Sequence, residues 1–261
     1  MKEIFAGIER FSLSGVIGGN PADTLPPHPP EVPASEDGIE ISNYVFPKKM
    51  ECPVCGGHFS SYVTKEKKTR LMTVELDLRP VHTPIDPNYY DVVICPICGY
   101  ANTRELFPNI IKRRRELVQE KISPYYRHYE YPVKLSADMA IERYKLVLLN
   151  YMVQQPKDGE RAYICMKIMW LYRSKGDQVN ERLFAKLALK GYKEAITKEN
   201  PPIMGMNADT LNYIIGAIAA NLGDRTTTLQ FMSAVITSAS ASTGLKDKAR
   251  ELKDTLESQG E

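Results

Sequence analysis

Apolar residues change period once along this chain. Between Tyr44 and Tyr100 they fall at every second position, and beyond Asn102 they fall every third or fourth. His58–Thr64 reads as one strand. Met72, Val74, Leu76 and Leu78 alternate with Thr73, Glu75 and Asp77, which predicts a half-buried second strand. Tyr89–Ile94 reads as a third, and Arg79–Asn88, with Pro80, Pro84 and Pro87, reads as the loop before it. In the helical part Pro108 suits a first turn, with Ile111, Val118 and Ile122 along one face. Ser123–Pro132 is a break rich in proline and tyrosine. From Ser136 onward the pattern predicts about six helices in consecutive hairpins, interrupted at Gln155–Gly159, Ser174–Gln178, Asn200–Asn207, Gly223–Arg225 and Ser240–Gly244.

Two stretches of the helical part share a register. Ile168–Tyr172 leads to Gly176-Asp177 and then to Phe184, Ala185, Ala188 and Leu189. Ile214–Ile218 leads to Gly223-Asp224 and then to Phe231, Met232 and Val235. Glycine ends a helix by tolerating a left-handed turn, and the aspartate can accept from the free N–H groups of the next helix. This is the layout of tetratricopeptide-type pairs, with small Ala188 and Gly216 where helices approach closely. The two corners are 47 residues apart rather than the usual 34, and Asn200–Asn207 accounts for the excess. Helix 137–153, with Ile141, Tyr144, Leu148 and Tyr151 on one side, is expected to open the stack, and Ala249, Leu252 and Leu256 to close it. Such arrays leave a face free for a protein or peptide partner.

The first 43 residues differ from the rest. Ile4, Phe5, Ile8 and Phe11 could share one face of a short docked helix. Glu3, Glu9 and Arg10 interrupt what would be the apolar region of a signal peptide, which argues against secretion. Residues 20–42 hold Pro21, Pro26, Pro27, Pro29, Pro30 and Pro33 without apolar periodicity, the composition of a stiff extended tether. No apolar run reaches the roughly 20 residues of a membrane helix. Overall, 34 Lys and Arg against 32 Asp and Glu leave +2, but Lys2 and Arg10 face seven acidic residues through position 45, a local −5. Near-neutrality is thus an average over an acidic arm and a mildly basic remainder, which weakens a nucleic-acid reading without removing it.

The cysteines carry the chemistry. Cys52-Pro-Val-Cys55-Gly and Cys95-Pro-Ile-Cys98-Gly repeat one local device, in which two thiolates converge on an ion as the backbone curls around it. Gly56 and Gly99 stand where a left-handed turn is easiest, and N–H groups in such a turn offset the sulfur charge. Together the pairs offer four soft ligands, Cys52, Cys55, Cys95 and Cys98, suited to structural Zn²⁺ or to a rubredoxin-like Fe centre. The 39 residues between the pairs exceed the usual insert, yet the extra loop closure costs only about 0.7 kcal/mol. Structural zinc contributes an apparent 10–16 kcal/mol, roughly an order of magnitude more. Cys165 lacks a partner and reads as a core residue. His58 and His82 read as non-ligands, since four thiolates close the coordination sphere. No phosphate loop, dinucleotide fingerprint, nucleophile elbow or zinc-protease helix occurs, so a non-enzymatic protein is expected.

Three pieces resemble a bacterial family, domain-of-unknown-function family 2225: Glu51–Gly56, the run Pro87–Ala101 ending Cys-Gly-Tyr-Ala, and the corner Trp170–Arg173 with Gly176-Asp177. The likeness covers roughly residues 45–257. It implies a cytoplasmic bacterial protein with a metal at the four cysteines, and it implies no activity. The expected architecture is α+β: residues 1–43 a helix and proline-rich arm, 44–104 a zinc-ribbon-like β module, 105–135 a connecting helix and linker, and 136–258 a tetratricopeptide-like helical array. The expected function is a zinc-stabilised scaffold for a protein or peptide partner. A nucleic-acid-binding ribbon, with Lys48, Lys49, Lys65, Lys67, Lys68 and Arg70 near the knuckles, and an iron electron carrier are the alternatives.

Overall fold

The computed structural model describes residues 4–5 and 38–258. The helix expected from Ile4 to Phe11 and the proline-rich tether therefore lie almost wholly outside the described residues. Among those residues are six strands: β1 (Val45–Glu51), β2 (His58–Thr64), β3 (Arg70–Val74), β4 (Pro80–Thr83), β5 (Val92–Ile94) and β6 (Ala101–Thr103). Seven α-helices follow: α1 (Lys112–Lys121), α2 (Ala137–Gln154), α3 (Asp158–Ser174), α4 (Gln178–Lys198), α5 (Ala208–Leu222), α6 (Arg225–Thr237) and α7 (Thr243–Ser258). The strands do not make one ribbon. They pair as three separate two-stranded sheets, β1 with β2, β3 with β4 and β5 with β6. Tyr89 and Tyr90, expected to begin a strand, belong instead to a 3₁₀ turn at Pro87–Tyr90, opened by the Asp86 side chain accepting from Asn88 N–H.

The described chain divides into two compact units. Residues up to 70 with 82–155 form one, and 71–81 with 156–258 form the other. In the first, β1 and β2 run antiparallel from Val45↔Thr64 to Glu51↔His58, and β5 and β6 from Val92↔Thr103 to Ile94↔Ala101. Each cysteine pair therefore sits at the tip of a hairpin. Helix α1 packs on α2, with Val118 and Ile122 fully buried. Helix α2, expected to open the array, is grouped with the first unit, where it packs on β5, β6 and the 3₁₀ turn. Its polar residues explain why. Arg143 donates to the Val92 carbonyl, Tyr144 to Asp91 Oδ2 at 3.2 Å, Asn150 to the Gly99 carbonyl at 3.1 Å and Tyr151 to Asn102 Oδ1 at 2.9 Å. Residues spaced by seven and eight share a helical face, and this one is written to read the backbone and side chains of the second hairpin.

The second unit is built of helical hairpins, α3 with α4 and α5 with α6, with α7 packed on α6 and α5. Both Gly-Asp corners turn as their residues dictate. Gly176 and Gly223 hold φ near +71° and +81°, and Asp177 and Asp224 accept from Asn180 N–H at 3.1 Å and Thr227 N–H at 3.0 Å. At Gly216 a side-chain carbon would meet the Met232 methyl at 2.2 Å, so α5 and α6 approach as closely as the sequence suggested.

Residues 71–81, most of β3, the turn after it and the start of β4, belong to this helical unit, and the strand expected to run on to Leu78 ends at Val74. Leu71, Met72 and Leu76 are 51%, 59% and 51% exposed, while Asp77 and Arg79 are buried. Period-two alternation locates two faces but does not say which face is inward. Here Asp77 and Arg79, beyond the end of β3, turn inward because α3 carries their partners. Asp77 Oδ2 accepts from Trp170 Nε1 at 2.9 Å and lies 2.8 Å from an Arg173 guanidinium nitrogen. Arg173 also binds Glu75 at 2.6 Å and Glu181 at 2.7 Å, and Arg79 donates to Ser174. Asn221 of α5 donates to the same Glu181 oxygen at 3.2 Å. Burial loosens a guanidinium's hold on its proton, but Asp77, Glu181 and Glu75 outweigh it and raise Arg173 above its ordinary value. At the tip Leu78 adopts φ 62°, a conformation costing about 1–3 kcal/mol for a non-glycine, and packs on the cluster around Tyr213 and Met232.

Candidate metal centre

The two knuckles are built alike. In the first, Cys52 N–H donates to the Gly57 carbonyl at 2.9 Å and Gly56 N–H to the Cys52 carbonyl at 2.8 Å. In the second, Cys95 N–H donates to the Tyr100 carbonyl at 2.8 Å and Gly99 N–H to the Cys95 carbonyl at 3.0 Å. Gly56 and Gly99 take φ of 73° and 71°. These bonds curl each loop so that N–H groups face sulfur: those of Val54 and Cys55 turn toward Cys52, and those of Ile97 and Cys98 toward Cys95.

The four sulfurs, and no histidine, converge. Every pair lies within 4.8 Å, with Cys52 to Cys98 at 3.6 Å and Cys55 to Cys95 at 3.7 Å. A disulfide needs about 2.05 Å, so these are free thiols. A tetrahedral ion bonded to sulfur at about 2.3 Å sets its ligands about 3.8 Å apart. The donor set therefore fits such an ion. Cys52, Cys95 and Cys98 are buried and Cys55 is exposed. Hydrogen bonds from Cys52 and Cys98 hold the Cys95 thiol well below its ordinary value. The same contacts, with burial, push Cys52 and Cys98 up. Deprotonated together, four thiolates in so small a volume would need a cation to offset their charge, and the cluster is capable of holding one.

His58 begins β2 and is exposed, outside the sulfur cluster. His82 lies on β4, half-buried. Cys165 is buried in α3, where desolvation pushes its thiol up to about 12. The exposed basic residues Lys112 and Arg113 open α1, and Arg113 donates to Gln155.

The second knuckle is braced beyond its ligands. Tyr100 is fully buried with its ring 4.8 Å from that of Phe107. Asn102 accepts from Thr103 N–H at 2.8 Å as well as from Tyr151. The family described as uncharacterised protein conserved in bacteria, DUF2225, matches residues 45–256. The chain belongs to this family. The matched region of this DUF2225 protein holds both knuckles, α2 and the Trp170–Arg173 corner, so the run ending Cys-Gly-Tyr-Ala and the Trp-Leu-Tyr-Arg corner have structural reasons on the page. An uncharacterised protein of Borreliella burgdorferi is 31% identical over 87 residues, covering 30% of this chain. The chain spans 31% of that relative's length. No solved structure matches.

Supporting residues such as Gln119, which donates to the Val54 carbonyl at 2.8 Å, and Asn150 carry no metal-ligand signature. The one available signal is polarity on an otherwise apolar helix face. Gly99 gives a direct test of the bracing. A side-chain carbon there would meet the Tyr126 ring at 2.4 Å, in a backbone region that L-residues avoid. Gly99→Ala is expected to lower stability by about 1–3 kcal/mol and to weaken metal retention, measured by denaturant titration and competition with a chelator. Gly56→Ala meets nothing nearby and is expected to show the backbone cost alone.

Proposed function

We propose that this chain is a zinc-stabilised, non-enzymatic protein whose tetratricopeptide-like helices form a scaffold for a protein or peptide partner. Four protein thiolates leave no coordination position for a substrate or water, which supports a structural role for the ion.

The observation that carries the binding half is the hairpin of residues 71–81. Leu71, Met72, Val74 and Leu76 are all exposed on it, while a charged clasp holds Glu75, Asp77 and Arg79. Apolar side chains gathered on one exposed strand mark a contact surface. Among the described residues β3 pairs with β4 alone, so its other edge offers N–H and carbonyl groups to an added strand. The partner that suits both features is an extended apolar segment of another protein, added as a strand.

Two measurements test this. Elemental analysis of protein made in iron-replete cells is expected to find about one zinc per chain. A coloured, iron-loaded product would replace the zinc reading with the electron carrier. A photo-crosslinker at position 74 of the full chain is expected to capture one partner in cells. Met72→Lys with Leu76→Lys should cut that capture at least about tenfold, with zinc content and melting unchanged. Equal capture by the double variant sinks the surface.

A further inference from the structure

The first unit contains a second site, distinct from the four sulfurs. A cavity of about 260 Å³ opens between β2, the start of the second knuckle and the stretch before α2. Its walls are Phe59, Tyr62, Tyr90, Tyr126, Tyr129 and Tyr131, and Arg143 lines it as well. His128 and Glu130, both exposed, stand at its rim.

Arg143 is the unusual member. It is 8% exposed, yet no carboxylate pairs with it among the described residues. One guanidinium nitrogen donates to the Val92 carbonyl, and Nε is buried without a partner. The acids nearest in sequence are engaged elsewhere: Glu142 accepts from Tyr131 at 3.2 Å and Asp91 from Tyr144 at 3.2 Å. The groups around Arg143 are tyrosines, and its guanidinium lies 5.0 Å over the Tyr131 ring. Stacking on one aromatic face offsets only part of the cost of burying a charge. A buried guanidinium offers charged N–H donors that suit a carboxylate, and Arg143 lines a space large enough for a small molecule.

We propose that this cavity binds a small organic monocarboxylate with a planar apolar body, its carboxylate held by Arg143 and its body stacked between the tyrosines. Two features select that class. The cavity lining holds one always-charged cation and no lysine, which suits a single negative charge, and Glu130 at the rim repels a second. Six aromatic side chains share the remaining wall with aliphatic and small residues, which suits a flat apolar ligand and does little for a hydrated inorganic ion. The site also has a structural link to the metal. Tyr126, one wall, covers Gly99 of the second knuckle, Ile94 and Pro96 flank that knuckle, and the small Ser61 of β2 lines the cavity as well.

The test uses the full-length, metal-loaded protein with benzoate, benzamide and inorganic phosphate as probes in isothermal titration. Benzoate is expected to bind saturably at one per chain. Benzamide, the same shape without the charge, and phosphate should each bind at least about tenfold more weakly. Arg143→Met should lose benzoate binding while keeping its metal, and Ser61→Leu should lose it by filling the cavity while leaving Arg143 in place. Benzoate bound no better than benzamide, or bound equally by Arg143→Met, would overturn the proposal. Phosphate binding more tightly than benzoate would overturn the ligand class. If Arg143→Met does not retain metal, Ser61→Leu decides: unchanged benzoate affinity there places the ligand elsewhere.

Discussion

Cys52→Ser, or removal of the metal by a chelator, is expected to unfold the first unit. Its sheets are pairs of short strands, and isolated two-stranded hairpins are marginal in water. The sulfurs join the tip of one hairpin to the tip of the other across 39 intervening residues. An apparent 10–16 kcal/mol rides on a structural zinc site, against a typical total stability of about 5–15 kcal/mol. The expected result is loss of protection from proteolysis across residues 45–103, with the helical hairpins of 158–258 still folded. Acid should do the same, because each thiolate must regain a proton to leave the ion. Cys165→Ala is the control. That thiol is buried in α3, is not among the clustered sulfurs, and should leave metal content unchanged. A metal-free chain that melts like the loaded one would refute the clamp.

The second large effect is expected at Arg173. Removing it by Arg173→Met leaves Asp77 buried, with the Trp170 N–H still donating to it, and deprives Glu75 and Glu181 of a close guanidinium partner. Breaking a buried pair by deleting one member costs about 3–5 kcal/mol. The lower end applies, since the Arg173 side chain is 23% exposed. The expected outcome is a fall of about 3 kcal/mol in denaturant stability of the helical unit, with faster hydrogen exchange in residues 71–81. Asp77→Asn should cost less, because it keeps a hydrogen-bond acceptor for Trp170 and leaves Arg173 paired with two carboxylates. A larger loss in Asp77→Asn than in Arg173→Met would contradict this assignment of the charges.

The contrast between those two sites shows what local sequence can and cannot carry. A knuckle is specified within six residues: the cysteines, the curl between them and the glycine that permits it are all neighbours. The corners at Gly176-Asp177 and Gly223-Asp224 are legible for the same reason, since cap and capped N–H are three residues apart. The clasp on the hairpin is not local. Asp77 meets Trp170 from 93 residues away, and Glu75 meets Arg173 from 98. Alternation along Met72–Leu78 was visible, but which face pointed inward depended on donors that no nearby residue announces.

Helix α2 teaches the same lesson from the other side. Its apolar face fits a helical stack equally well, and only the polar positions Arg143, Asn150 and Tyr151 tie it to the second knuckle. The aromatic cavity is likewise assembled from three separated stretches, 59–62, 90–96 and 126–143.

By itself, then, the chain's sequence determined its α+β composition, the four thiols and the two helical corners, because each is written in residues a few positions apart. The tertiary structure alone decided where the hairpin of 71–81 is held, which unit owns α2 and where Arg143 lies. Those outcomes rest on pairing buried charges and polar groups with partners distant in sequence, and a buried charge goes where its partners are.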